Sequence, residues 1–148
     1  MVTIQVKKIL QAPINLVSQT LLEHQQLDRF FKAKFTLVKN ENKGELLGGK
    51  GAIRQISIGK ITFSEKIINA SNEHICYQII GDKPVSNHQG DIQLTPVGIE
   101  SMCTNLDYVI RFTCPPWLPS FLVKFFVERD INNAIKKLAQ HFSSGHFT

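Results

Sequence analysis

The sequence predicts an α+β fold: a strongly bent, seven-stranded antiparallel sheet around one long C-terminal helix, with two short helices after the first strand. Three observations carry this. From residue 34 to residue 113 the apolar residues keep a period of two, broken only by short turn signals. Residues 120–142 form the one long segment with a helical stripe. Residues 13–31 show helical spacing in two pieces, each too short to be stable alone. Short connections between successive strands imply an antiparallel meander. A sheet with one apolar face needs a covering layer, and the last helix is long enough to supply it.

The elements follow in order. Residues 2–10 alternate and are rich in Val and Ile, the signature of a strand. Ala12-Pro13-Ile14-Asn15 ends that strand, and Pro13 suits the first turn of a helix. Leu16, Val17, Thr20 and Leu21 recur at helical spacing, and a second short piece ends near Phe30-Phe31. The remaining strands are predicted over Lys34–Asn40, Ala52–Ile58, Ile61–Ala70, His74–Ile80, His88–Thr95 and Met102–Thr113. The gaps carry turn residues: Asn42-Lys43-Gly44, Gly48-Gly49-Lys50-Gly51, Gly59-Lys60, Ser71-Asn72, Gly81-Asp82-Lys83-Pro84 and Pro96-Val97-Gly98. Cys114-Pro115-Pro116-Trp117-Leu118-Pro119 breaks the sheet. In the final helix Val123, Val127, Ile131, Ala134, Leu138 and Phe142 make one stripe, and Gly145 follows as a stop.

Composition narrows the function classes. The chain has 148 residues and reads as a single domain over 1–148. No apolar stretch approaches the ~20 residues of a membrane span, so no integral membrane segment is expected. The N-terminus lacks the uninterrupted apolar run of a signal peptide, which predicts a cytoplasmic location. Cys76, Cys103 and Cys114 have no C-x-x-C spacing, against a disulfide framework or a zinc site. The net charge is +5, with ten basic and four acidic residues in 1–60. Those lysines are scattered rather than clustered, so a solvated surface is expected and nucleic acid is not a partner.

Several segments resemble a known family in order along the chain. They are Ala12-Pro13 after strand one, Gly49-Lys50-Gly51-Ala52-Ile53-Arg54, Phe63-Ser64-Glu65-Lys66-Ile67, Tyr77-Gln78-Ile79 and His88-Gln89-Gly90-Asp91-Ile92-Gln93-Leu94-Thr95-Pro96. Together they resemble the START-related, birch-pollen-allergen-like (SRPBCC) superfamily and its bacterial polyketide cyclase/dehydrase-like branch. The resemblance implies a helix-grip fold with a cavity between the sheet's concave face and the long helix. It implies a hydrophobic-ligand pocket there, sometimes catalytic and often not; no cofactor is expected. The glycine-rich segment is no phosphate-binding loop, since it lacks G-x-x-x-x-G-K-[ST] and leads into a strand.

The candidate site residues come from strand phase. Gly59-Lys60 suits a two-residue type II′ hairpin with Gly first. That register pairs Ile58 with Ile61, Ile56 with Phe63 and Arg54 with Glu65, all on one face and directed inward. Arg54 and Glu65 then form either a structural ion pair or a polar anchor for a ligand carboxylate, carbonyl or enol. His88 falls in phase with Gly90, Ile92 and Leu94, and Gly90 is expected to leave room for a ligand. Tyr77 goes inward with Ile75 and Ile79, and Tyr108 with Leu106, Ile110 and Phe112. The expected ligand-binding set is Arg54, Ile56, Phe63, Glu65, Tyr77, His88, Tyr108 and Phe112 on the sheet, with Val127 and Ile131 on the helix. Glu65 and His88 are the candidates for proton transfer. His24, His74, His141 and His146 show no metal-ligand spacing, so no metal is expected. Trp117, Leu118, Phe121 and Phe125 anchor the helix by default; closing the pocket or packing in a homodimer are the alternatives.

Three function classes remain. The first is binding of a small hydrophobic or amphipathic molecule such as a lipid, polyketide or aromatic compound. The alternative is a polyketide cyclase or dehydratase using Glu65, His88 and Arg54. A second alternative is a protein-interaction module using the basic first half.

Overall fold

The computed structural model describes residues 1–81 and 85–143. The expected turn residues Asp82-Lys83-Pro84, the stop at Gly145 and His146 lie outside the described residues. Seven strands form one antiparallel sheet: β1 (Val2–Leu10), β2 (Lys34–Lys39), β3 (Ile53–Ile58), β4 (Ile61–Ala70), β5 (His74–Ile80), β6 (Ser86–Val97) and β7 (Cys103–Thr113). Their spatial order is β1-β7-β6-β5-β4-β3-β2, so the meander runs from β2 to β7 and the first strand joins its far edge. Helix α1 (Ile14–Leu22) and a 3-10 helix (His24–Arg29) follow β1, and α2 (Ser120–Ser143) ends the described chain. The expected helix-grip architecture is the one found.

The predicted β3–β4 register is also found. Arg54 stands opposite Glu65, Ile56 opposite Phe63 and Ile58 opposite Ile61. Gly59 has φ +60 while Lys60 stays out of the left-handed region, which is the pattern of a II′ turn. Both ends of β6 differ from expectation by two residues, and β2, β3 and β7 each differ by one residue at one end. β6 runs through Pro96, which pairs with Thr104 of β7. Pairing to β5 stops at Gln93, so the missing N–H of Pro96 breaks no ladder on that side. The chain reverses at Gly98–Met102 instead. At its start β6 carries an irregularity between Ser86 and Gln89, with Asn87 at φ 52.

Helix α2 has two halves with different jobs. Ile131, Ala134, Ile135, Leu138 and Phe142 are buried in the core beside β1. Val123 and Val127, on the same stripe, are only partly buried, because the first half stands over open space. The anchoring expected of Trp117, Phe121 and Phe125 does not occur, while Leu118 is half-buried. Trp117 is 73% exposed, Phe121 74% and Phe125 61%, with Leu122 and Phe126 also exposed. The stripe faces the sheet, and these side chains sit on the rest of the helix surface and in the loop before it. Among the described residues no helix is long and apolar enough to cross a membrane.

Candidate functional site

The gap between the concave face of the sheet and the first half of α2 is a cavity of about 270 Å³. Its wall is overwhelmingly apolar, with Ile56 and Phe63 of the β3–β4 pair, Phe112 of β7, and Val127 and Ile131 of α2 among its members. Arg54, Glu65, Tyr77, His88 and Tyr108 complete the expected set, and the structure places all ten on this one wall.

At the polar end, Arg54 is held from several sides. Its Nε and Nη2 both donate to Oε1 of Glu65, at 3.0 and 2.8 Å. Its Nη1 donates to Nδ1 of His24 at 3.2 Å. The guanidinium also lies 4.8 Å from the Tyr77 ring centroid and 5.4 Å from that of Phe35, within cation–π range. Arg54 is 8% exposed and Glu65 5%. Burial pushes the Glu65 carboxyl above its ordinary value, and the nearby guanidinium offsets only part of that. Burial opposes the Arg54 charge too, but the Glu65 carboxylate together with Tyr77 and Tyr108 outweighs it and holds the guanidinium protonated.

His24 is the member that strand periodicity does not find. It sits at the start of the 3-10 helix, where no alternation sets its direction. Its Nε2 lies 2.7 Å from the carbonyl of Gly48, which only accepts, so Nε2 carries the proton and Nδ1 is free to accept from Arg54. Burial first, and then the Arg54 charge, bring its pKa down to about 4. The one available signal is the glycine-rich turn: a Cβ on Gly48 would lie 2.2 Å from the Leu22 carbonyl oxygen, so the turn must pass close under this histidine.

Tyr77 and Tyr108 stand on β5 and β7, with β6 between them. Tyr77 is paired with Gly90. A Cβ there would fall 2.2 Å from the Tyr77 ring, so the room expected over Gly90 is filled by Tyr77 itself. The ring thus crosses β6, and the two tyrosine hydroxyls hydrogen-bond. Burial raises both phenols above their ordinary value, so both stay protonated. His88 is half-buried, and its Nδ1 accepts the Ile79 amide N–H at 3.1 Å. Burial and then the Arg54 charge bring His88 to about 4, so it is neutral at pH 7.

Comparison with solved structures decides the fold. A START superfamily protein from Mycobacterium smegmatis superimposes with a TM-score of 0.78 at 11% identity, covering 96% of this chain and 97% of that one. The chain has a START-like fold. The protein XoxI from Bacillus cereus gives 0.73 at 17% identity over 96% of both chains. A protein from Thermus thermophilus gives 0.72 at 11% identity, over 97% of this chain and 99% of that one. No family model matches the sequence, and no curated protein matches it either.

In this START-like frame the exposed side chains among the described lining residues mark where the cavity reaches the surface. Ile58 and Ile61, at the tip of the β3–β4 hairpin, line it and are 44% and 58% exposed. Lys32, in the loop before β2, lines it and is exposed as well. The mouth therefore lies between the hairpin tip, that loop and the first half of α2, and the Arg54–Glu65–His24 cluster lies at the buried end. Among the described residues no three His, Cys, Asp or Glu side chains are grouped to hold a metal ion.

Proposed function

We propose that the protein binds a small hydrophobic or amphipathic molecule, such as a lipid, polyketide or aromatic compound, in the cavity between sheet and α2. The observation that carries this reading is an apolar cavity of about 270 Å³ with the Arg54–Glu65 pair, Tyr77 and Tyr108 gathered at its buried end. A few placed polar groups in an otherwise apolar concavity are the usual make-up of a small-molecule site. The Ile and Val side chains at the mouth give an apolar entry. The ligand-binding set is the ten residues named above, in a cytoplasmic protein.

Native mass spectrometry of the purified protein, followed by solvent extraction, tests the proposal. A co-purified apolar molecule, or saturable binding of the neutral dye Nile red, is expected. Val127→Trp, which projects into the cavity from a half-buried position, should abolish both while leaving the fold intact. No bound molecule, together with Nile red binding that Val127→Trp does not alter, would overturn the reading.

One observation favours a second reading, a polyketide cyclase or dehydratase. Glu65 is a carboxyl of raised pKa on the cavity wall, as a proton-transfer group requires. Turnover of an aldol-competent polyketone that Glu65→Gln abolishes, with binding retained, would establish catalysis over binding alone.

A further inference from the structure

The polar end of the cavity has a charge balance that restricts what a ligand can present to it. Arg54 is the natural partner for a carboxylate, as the sequence suggests. In the folded protein its charge is already paired: Nε and Nη2 donate to Glu65 and Nη1 donates to His24, which uses three of the five guanidinium N–H groups. The open acceptor is on the other member of the pair. Oε1 of Glu65 takes both guanidinium bonds, whereas Oε2 takes no hydrogen bond among the described residues. No fully buried side-chain oxygen or nitrogen there lacks a partner, so Oε2 is open to the cavity.

A second open group lies on the same wall. Tyr77 and Tyr108 hydrogen-bond through their hydroxyls, and two hydroxyls carry two protons. One proton makes the bond between them, and the other is free to be donated. The cavity thus offers an anionic acceptor and neutral donors, the tyrosine hydroxyl and the His88 Nε2–H, with the charge of the nearby cation already paired.

We propose that the ligand brings a neutral hydroxyl, of an alcohol or a phenol, to this end, donating to Glu65 Oε2 and accepting from the Tyr77–Tyr108 pair. A carboxylate there would face Glu65 across a low-dielectric cavity and repel it. A hydrocarbon end would leave Oε2 desolvated and unpaired. This inference rests on the binding reading above and adds the chemical class of the ligand.

The test is calorimetric titration at pH 7 with three molecules of one skeleton: 2-naphthol, 2-methylnaphthalene and 2-naphthoate. 2-Naphthol should bind about tenfold to a hundredfold tighter than 2-methylnaphthalene, the range for a hydrogen bond to a charged group. It should exceed 2-naphthoate by at least about tenfold. In Glu65→Gln the 2-naphthol preference over 2-naphthoate should fall by about tenfold or more. The double variant Tyr77→Phe/Tyr108→Phe leaves the ion pair in place, and it should lower 2-naphthol affinity while sparing 2-methylnaphthalene. This second variant keeps the test open if Glu65→Gln does not fold. If the three probes bind alike, or 2-naphthoate binds tightest, the hydroxyl assignment is overturned while the binding reading stands. If none binds and Nile red is also refused, both are overturned.

Discussion

Removing one member of the Arg54–Glu65 pair should cost stability unequally. The closest approach is 2.8 Å, from Nη2 to Oε1. At an effective dielectric constant near 20, unit charges at that distance attract by about 6 kcal/mol. Charge delocalisation and the cost of drying both groups reduce this, and breaking a buried pair costs about 3–5 kcal/mol. Glu65→Gln strands the guanidinium, which cannot shed its proton in a protein. Its cost should sit near the top of that range at pH 8, where Glu65 is most fully ionised.

Arg54→Met strands a carboxyl that can take up a proton. Burial already raises its pKa above 4.5, and losing the guanidinium raises it further. The folded state then holds a proton that the unfolded state has released, so the contribution is present at low pH and is lost as pH rises through the folded pKa. Arg54→Met should therefore cost least near pH 5 and more as pH rises, by about 1.4 kcal/mol for each pH unit between the unfolded-state pKa and the folded one, and it should level off above the folded pKa. The double variant Arg54→Met/Glu65→Leu should recover most of either loss. Urea denaturation followed by far-ultraviolet circular dichroism measures this; Trp117, 73% exposed, is a poor fluorescent reporter. Equal, pH-independent costs for the two single variants, or a double variant no better than the worse single one, would refute the reasoning.

Two further predictions concern the same interior. His24 and His88 are both brought from 6.5 to about 4, so the unfolded chain binds protons that the folded one refuses between those values. Their contribution is complete above pH 6.5 and lost as pH falls towards 4, up to about 3 kcal/mol for each histidine. Glu65 acts in the opposite sense, so the comparison to make is with His24→Gln/His88→Gln; a stability–pH slope in that variant no shallower than in the wild type would count against it. Gly90→Ala would put a methyl group 2.2 Å from Cζ of Tyr77 and 2.6 Å from its hydroxyl oxygen. The ring would have to leave Tyr108, at a cost of about 1–3 kcal/mol. An unchanged melting temperature with wild-type binding of 2-naphthol would show that the ring does not need that space.

What the sequence made legible depended on what each residue's direction depends on. In β3 and β4 a two-residue turn and a period of two determine the direction of Arg54, Ile56, Phe63 and Glu65, and all four stand where that pattern puts them. His24 is different in kind. Its direction depends on a 3-10 helix and on the Gly48 carbonyl, which comes from a loop 24 residues later. The occupant of the space over Gly90 escapes the pattern for a related reason. Alternation shows which face a missing side chain opens, but whether Tyr77 or a ligand enters that opening depends on where β7 places Tyr108. The exposed aromatics of 117–126 fall short in another way. A helical stripe defines one face, and nothing in the spacing says that the remaining face meets the sheet.

The polar end of the cavity is more than the scaffold needs. Neighbouring positions in the same two strands are held by Ile56 opposite Phe63, an apolar pair that packs without drying a charge. A well-packed apolar pair at positions 54 and 65 would serve the sheet as well or better, since buried ion pairs commonly gain nothing over apolar replacements. Here the pair is joined by a histidine that must stay neutral and by two tyrosines reaching across β6, and the carboxylate still presents one oxygen to the cavity. Groups whose burial costs stability, placed together at the end of an apolar space, are the local departure from folding economy that marks a site. On the proposal above, the same atoms favour a hydroxyl over an acid, because the cation that would attract a carboxylate already has its charge balanced by Glu65.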